Sequence, residues 1–596
     1  MKIEKDNNAN TKKVVYHVFT RLFGNTNTTN KSWGTIEENG VGKFKDFTPK
    51  ALREIKKLGV THIWFTGVPH HALINDYTNI GISNDHPSVV KGRAGSPYAV
   101  KDYYNVNPDL ATDPANRLRE FEDLIARTHK AGMKVIIDIV PNHVARKYEG
   151  ITNPEGVKDF GIDDDTTVAY HKDNNFYYIK DSKFELPDIE PPLGGEKNHL
   201  LDTPFIESPA KWTGNGSRMA KPDKNDWYET AKINYGVRPD GQVDFPYLPW
   251  GYDTVSYETH FEFWADKDVP DSWHKFKDIA LYWTEKGVDG FRYDMAELVP
   301  FEFWSYMNSA IKMQNPEAFL LAEVYNPDLY YNYIKMGKMD YLYDKVGTYD
   351  KLKDIIQGRS WPDELTQIQY DLWNVSPHML KFLDNHDEQR IASPEFAGSG
   401  EKGKPMMVVS ATISAAPVMI YFGQEVGEAA NENGGFGTHS RTSIFDYVGV
   451  PSHQRWMNDG KFDGGQLTET ETKLRDFYKR LLNFILESSA VMGDFQEIQF
   501  ANRYKTDGYD TGIYSYTRWS DSQKLIIVTN FSDEITSSFN LKVPQLVIEK
   551  WNLQNGNYKL TDQLYKKAKL QLEVNNGEGT VTMQLAPLES YILELQ

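Results

Sequence analysis

The chain of 596 residues contains no cysteine. Disulfides, thiolate nucleophiles and cysteine-ligated metals are therefore excluded. No apolar run reaches the ~18 residues that a membrane-spanning helix needs. Basic residues are in the minority, 66 Lys and Arg against 84 Asp and Glu, for a net charge of −18. Nucleic acids and anionic membranes call for a concentrated basic face, so neither is expected as a partner. A neutral ligand is compatible with this balance. The segment Met1 to Asn10 is polar and holds no apolar leader. The expectation is a cytoplasmic protein, or a periplasmic or secreted one whose leader has been removed.

What the chain does have is aromatic surface. Aromatics make up 13% of residues, with 35 Tyr and 14 Trp, many in polar surroundings. Most must serve core packing. The excess fits carbohydrate binding, because sugar rings present apolar C–H faces that stack on aromatic planes.

Strands and helices alternate along most of the sequence. Strands are expected over 14–20, 61–67, 134–140, 288–293, 318–324, 339–343, 379–384 and 417–422. Helical spacing follows most of them, and is clearest at Leu474, Phe477, Tyr478, Leu481, Leu482 and Ile485. Eight strands that alternate with helices give a (β/α)8 barrel. The rhythm stops between Arg146 and Tyr252, a stretch too long for a plain loop. It reads as an inserted, irregular subdomain after the third strand. From about Val491 only short strands separated by turns remain, as in an all-β sandwich. The expected division is barrel 1–143, insert 144–253, barrel 254–490 and C-terminal β-domain 491–596.

Four short segments close successive strands: Asp138-Ile-Val-Pro-Asn142-His143, Gly290-Phe-Arg292-Tyr-Asp294, Ala322-Glu323-Val-Tyr and Phe382-Leu-Asp-Asn385-His386-Asp387. Active sites of such barrels lie at the C-terminal strand ends. These segments therefore bring Asp294, Glu323, Asp387, Arg292, His143 and His386 to one face. Paired carboxyls suit cleavage of a glycosidic bond, which takes a proton donor and a carboxylate nucleophile on opposite sides of a sugar ring.

The four segments, in this order, resemble those of the α-amylase family, retaining enzymes that act on α-glucans. The resemblance covers about residues 14–490 and implies the barrel, the insert and the C-terminal β-domain. It implies Asp294 as nucleophile, Glu323 as general acid/base and Asp387 as a third acid that grips sugar hydroxyls. It implies Arg292 as the partner of the nucleophile, with His143 and His386 hydrogen-bonding the sugar being cleaved. Tyr98-Ala-Val-Lys-Asp102-Tyr103 is similar to a further family segment, with Tyr98 stacking under that sugar and Asp102 holding an arginine or a hydroxyl. Asn142 matches a calcium ligand of the family, and oxygen ligands suit that ion. No organic cofactor is implied.

Taken singly, these residues have plainer readings. Asp138 reads as a buried support for Arg292 and Tyr98. The Asp163-Asp164-Asp165 run reads as a solvated surface stretch, and Asn25, Asn27 and Asn30 as a turn-rich loop rather than a second cation site. Several departures from the family also stand out. Met295-Ala-Glu297-Leu298 follows the nucleophile where many members carry Lys-His, and Ala231-Lys-Ile-Asn234 only loosely resembles the family's fifth segment. The expected activity is hydrolysis of α-1,4 bonds in starch, glycogen or maltooligosaccharides. Transglycosylation, trehalose formation and α-1,6-glucosidase activity use the same acids, and a non-catalytic glucan-binding barrel is the reading from another class.

Overall fold

The computed structural model describes residues 11–437, 439–566 and 569–596. The polar segment Met1–Asn10, read above for the absence of a leader, lies outside them. Among the described residues no helix is long and apolar enough to cross a membrane.

Eight parallel strands form the central sheet: β1 (Val14–Phe19), β2 (His62–Thr66), β3 (Lys134–Ile139), β4 (Gly290–Tyr293), β5 (Phe319–Ala322), β6 (Tyr341–Tyr343), β7 (Met379–Leu380) and β8 (Val418–Tyr421). Each pairs with its neighbour in chain order, and β1 pairs with β8. A parallel bridge between Lys381 and Val418 closes the ring. The strands are buried on both faces, which is why they read as continuous apolar runs such as Val135-Ile-Ile. The fold is thus a (β/α)8 barrel with a C-terminal β-domain.

The helices obey local rules. In Glu469–Glu487 the Thr468 side chain accepts from the Glu471 N–H, and Glu471 reaches back to the Thr468 N–H. The six apolar residues named above are its buried stripe. Truncating one of them, for example Leu481→Ala, costs about 2–5 kcal/mol of stability.

The insert after β3 is short on regular structure. His143–Ala145 pairs antiparallel with Thr230–Lys232, and Tyr178–Ile179 with Ala210–Lys211. Asp164 does not behave as part of a solvated run. It accepts from the backbone N–H groups of Asn175 and Phe176 and from the Tyr178 phenol. The loop holding Asn25 is a bridged turn: its amide donates to the carbonyls of Asn39 and Val448.

The C-terminal domain is one antiparallel sheet of eight strands, curled around its own apolar core. Its strands include Asp494–Glu497, Gly556–Asp562 and Lys569–Asn575. Arg518 donates to the Ile413 carbonyl at 2.8 Å and Arg503 pairs with Asp363 at 2.6 Å, joining this sheet to the barrel.

Candidate active site

Alternation along β4 turns Arg292 inward, next to Asp138 on β3 in the ladder register. Asp294 and Glu323 come just past the ends of β4 and β5. Their backbone N–H groups still bond the Ile139 and Tyr293 carbonyls, which fixes where both side chains start.

The Arg292 guanidinium is fully buried and gathers the acids. It donates to Asp294 at 2.7 Å, to Glu323 at 2.9 Å and, more loosely, to Asp138 at 3.4 Å. Its Nε faces the Tyr343 phenol at 3.2 Å, and its plane lies 5.3 Å from the Trp64 ring and 5.4 Å from the Tyr98 ring. Trp64 in turn donates to Asp138 at 2.8 Å. Asp138 therefore supports Arg292 as read from the sequence, but its other partner is Trp64 rather than Tyr98.

His386 stacks on Tyr98, with centroids 5.2 Å apart, and its Nε2 meets the Tyr98 hydroxyl. The same nitrogen lies 3.0 Å from Asp387. His143 Nε2 sits 4.0 Å from Asp294. The structure thus brings Asp294, Glu323, Asp387, Arg292, Tyr98, His143 and His386 together.

It does not bring Asp102 with them, which corrects the expectation. Asp102 lies in strand Val100–Val106, paired with His70, and is fully buried. Its carboxyl accepts from the backbone of Tyr104 at 2.8 Å and of Ile151 at 3.4 Å, so it secures a loop and holds neither Arg292 nor an open position.

Burial sets the electrostatics. It pushes Asp294 well above the usual carboxyl range; Arg292 opposes this, and the neighbouring Glu323 and Asp387 charges add to it. Burial also acts upward on Asp387, but the His386 charge and hydrogen bond, with Arg292, prevail and keep it below the usual range. Burial lowers His143 to about 3, so it is neutral at ordinary pH.

Three contributors were missed in the sequence. The Tyr325 phenol donates to Glu323 Oε1 at 2.6 Å. The Met295 N–H donates to Glu323 Oε2 at 2.8 Å, from a left-handed backbone with φ of 43° that a non-glycine residue seldom adopts. Glu297 accepts from the N–H groups of Tyr325 and Asn326, which anchors that loop. The only signal for Tyr325 was its position two residues after Glu323, on the same side of an extended segment.

A cavity of about 610 Å³ opens from His386 and Asp387. Aromatic rings of Trp33, Trp227, Tyr228, Phe436 and Phe445 line it. Trp33 lies against two glycines: a side-chain carbon on Gly194 of the insert, or on Gly435 after β8, would come within 2.8 Å of the indole.

Asn142 does not fit the calcium that the resemblance implies. Its Oδ1 accepts from the Lys232 side chain, which also donates to the Leu298 carbonyl at 3.1 Å. An oxygen facing an amino group in this way is a poor ligand for a second cation. Burial lowers Lys232 to about 7. Among the described residues no group of three or more His, Asp or Glu is arranged to hold a metal ion.

Comparison with known proteins agrees with this geometry. The family profile "Alpha amylase, catalytic domain" matches residues 17–192 and 204–460. "Alpha-amylase 3" of Dictyoglomus thermophilum is 23% identical over 89% of this chain and 87% of its own length. An oligo-1,6-glucosidase of Heyndrickxia coagulans is 21% identical over 92% of this chain and 96% of its own. A Bacillus cyclomaltodextrinase is 21% identical over 70% of this chain and 56% of its own. Among solved structures, the cyclic α-maltosyl-(1→6)-maltose hydrolase of Arthrobacter globiformis has a TM-score of 0.60 at 15% identity, covering 98% of this chain and 99% of that one, a likeness of fold. The carboxyls gathered on one guanidinium at the barrel's C-terminal face, together with the profile match over most of the chain, place this protein in the α-amylase family, as a glycosidase acting on α-glucans.

Proposed function

We propose that the protein hydrolyses α-1,4-glucosidic bonds in starch-type glucans and maltooligosaccharides, with retention of configuration. The observation that carries this reading is the pair of bonds from Arg292 to Asp294 and to Glu323. One rigid guanidinium holds both carboxyls, which favours the short separation, ~5–5.5 Å, of a double displacement. Asp294 attacks the anomeric carbon. Glu323 supplies a proton to the departing oxygen and then takes one from water. Arg292 steadies the charge that returns to Asp294 as the glycosyl ester breaks. Tyr98, stacked with His386, offers a platform beneath the ring, and Asp387 and His143 reach its hydroxyls. Trp33, Phe436 and Phe445 offer stacking faces for further sugar units.

The test is a product profile on starch, maltotriose, maltose and pullulan, with the anomer of the first-formed product read by NMR. Rapid shortening of starch and maltotriose, with α-anomers formed first, is the expected result. The oligo-1,6-glucosidase relative shows what an alternative outcome looks like: attack confined to α-1,6 bonds would replace the linkage assignment. Accumulation of longer oligosaccharides would mark a transglycosylase. Starch binding without turnover would leave a glucan-binding protein.

A further inference from the structure

We propose that Lys232 and Asn142 together fix which nitrogen of His143 carries the proton, and that Lys232 takes the position where the family resemblance puts a calcium ion. This rests on the reading of His143 as a group that meets the sugar.

The antiparallel ladder sets Lys232 directly across from His143. From there the Lys232 side chain turns to Asn142 Oδ1 and the Leu298 carbonyl. The other end of the Asn142 amide has two fixed partners. Its Nδ2 donates to the Gly214 carbonyl at 2.8 Å and faces His143 Nδ1 at 2.9 Å. A carbonyl can only accept, so the Gly214 contact makes that end of the amide the NH2 group. Its second hydrogen then points at His143 Nδ1, which must accept it. A neutral imidazole that accepts at Nδ1 carries its proton at Nε2. Nε2 is the nitrogen that faces Asp294 at 4.0 Å. The chain from Lys232 through Asn142 therefore ends as an N–H directed at the carboxylate and at the hydroxyls of a bound sugar. Reversing the amide would set its NH2 against the Lys232 amino group and its oxygen against the Gly214 carbonyl, losing both bonds.

Lys232 and Asn142 are positioning residues in this scheme, since neither touches the reacting atoms. It also makes the junction between the insert and the barrel independent of a metal, because the oxygen available for one is already taken.

The experiment uses the full chain and Asn142→Asp. The carboxylate still accepts from Lys232, but it offers no hydrogen to His143 or to the Gly214 carbonyl. Expected results are a loss of kcat/KM on maltotriose of about tenfold to a hundredfold, as for partners that orient a functional histidine, with the fold retained and Tm lowered only modestly by the lost Gly214 bond. Nitrogen-15 spectra, with His143 assigned by its loss in His143→Gln, are expected to show Nε2 protonated in the wild type and Nδ1 protonated in the variant. Wild-type Tm is expected to be the same in calcium chloride and in EDTA. Wild-type kcat/KM in Asn142→Asp, a proton on Nδ1 in the wild type, or calcium stabilisation abolished by Asn142→Asp would each overturn the proposal. If the wild type cleaves no α-glucan, the functional reading fails, while the nitrogen-15 and calcium results still judge this one.

Discussion

The Tyr325 hydroxyl rests on Glu323 Oε1 at 2.6 Å, while Arg292 and the Met295 N–H hold Oε2. Both oxygens of Glu323 thus have donors. A proton passed from Glu323 to a glycosidic oxygen leaves a carboxylate that these donors stabilise at once. Tyr325→Phe is expected to lower kcat on maltotriose by about tenfold to a hundredfold, the worth of a hydrogen bond to a charged group. KM and Tm should change little. Equal losses in kcat and thermal stability would show that the phenol only packs the loop.

The two-carboxyl reading separates the roles of its members. Asp294→Ala is expected to reduce turnover by roughly a thousandfold or more with the fold intact. Glu323→Ala should lose comparable activity on natural glucans, yet recover on an activated aryl glucoside when azide is added. Azide attacks the glycosyl ester without a general base. An Asp294→Ala variant that still hydrolyses maltooligosaccharides near the wild-type rate would refute the assignment.

Barrel closure makes a purely structural prediction. Lys381, at the bridge to Val418, forms a fully buried ion pair with Asp344. Asp344 also accepts from the Thr348 N–H and hydroxyl. Lys381→Met leaves that carboxylate buried without its cation, and a loss of about 3–5 kcal/mol is expected in urea unfolding. An unchanged midpoint would mean that the pair contributes nothing net.

Two buried histidines work against the fold on mild acidification. His62 and His453 are buried, and burial lowers each to about 3. A group whose folded value is depressed stabilises the fold above its unfolded value, ~6.5, and loses that contribution as pH falls toward 3. Buried acids act the other way, since burial raises Glu302 to about 7 and Asp384 to about 6, so the test is a difference between two proteins. Relative to the wild type, the melting temperature of His62→Gln is expected to rise as pH falls from 7 to 4. A difference that stays constant over this range would contradict the burial argument.

Much of this molecule is legible in its sequence. The barrel strands are doubly buried apolar runs, and the acids follow them at positions that the strand count predicts. Very short elements were not legible. His143–Ala145 with Thr230–Lys232, and Tyr178–Ile179 with Ala210–Lys211, are too brief to show a period of two. Gly556–Asp562 alternates only weakly, because much of that strand faces solvent. Asp102 misled because a carboxyl inside a known segment looks the same whether it meets a ligand or two backbone N–H groups. Lys232 was invisible as a partner of Asn142, since ninety residues separate them and only the fold of the insert brings them together.

The placement of Trp33 between Gly194 and Gly435 has a consequence for evolution as well as for chemistry. The indole touches both the insert and the loop after β8. Neither glycine can gain a side chain without moving the indole. Variation that tunes which sugars enter should therefore accumulate at Phe436 or Trp227, on the rim, while this three-residue contact stays constant.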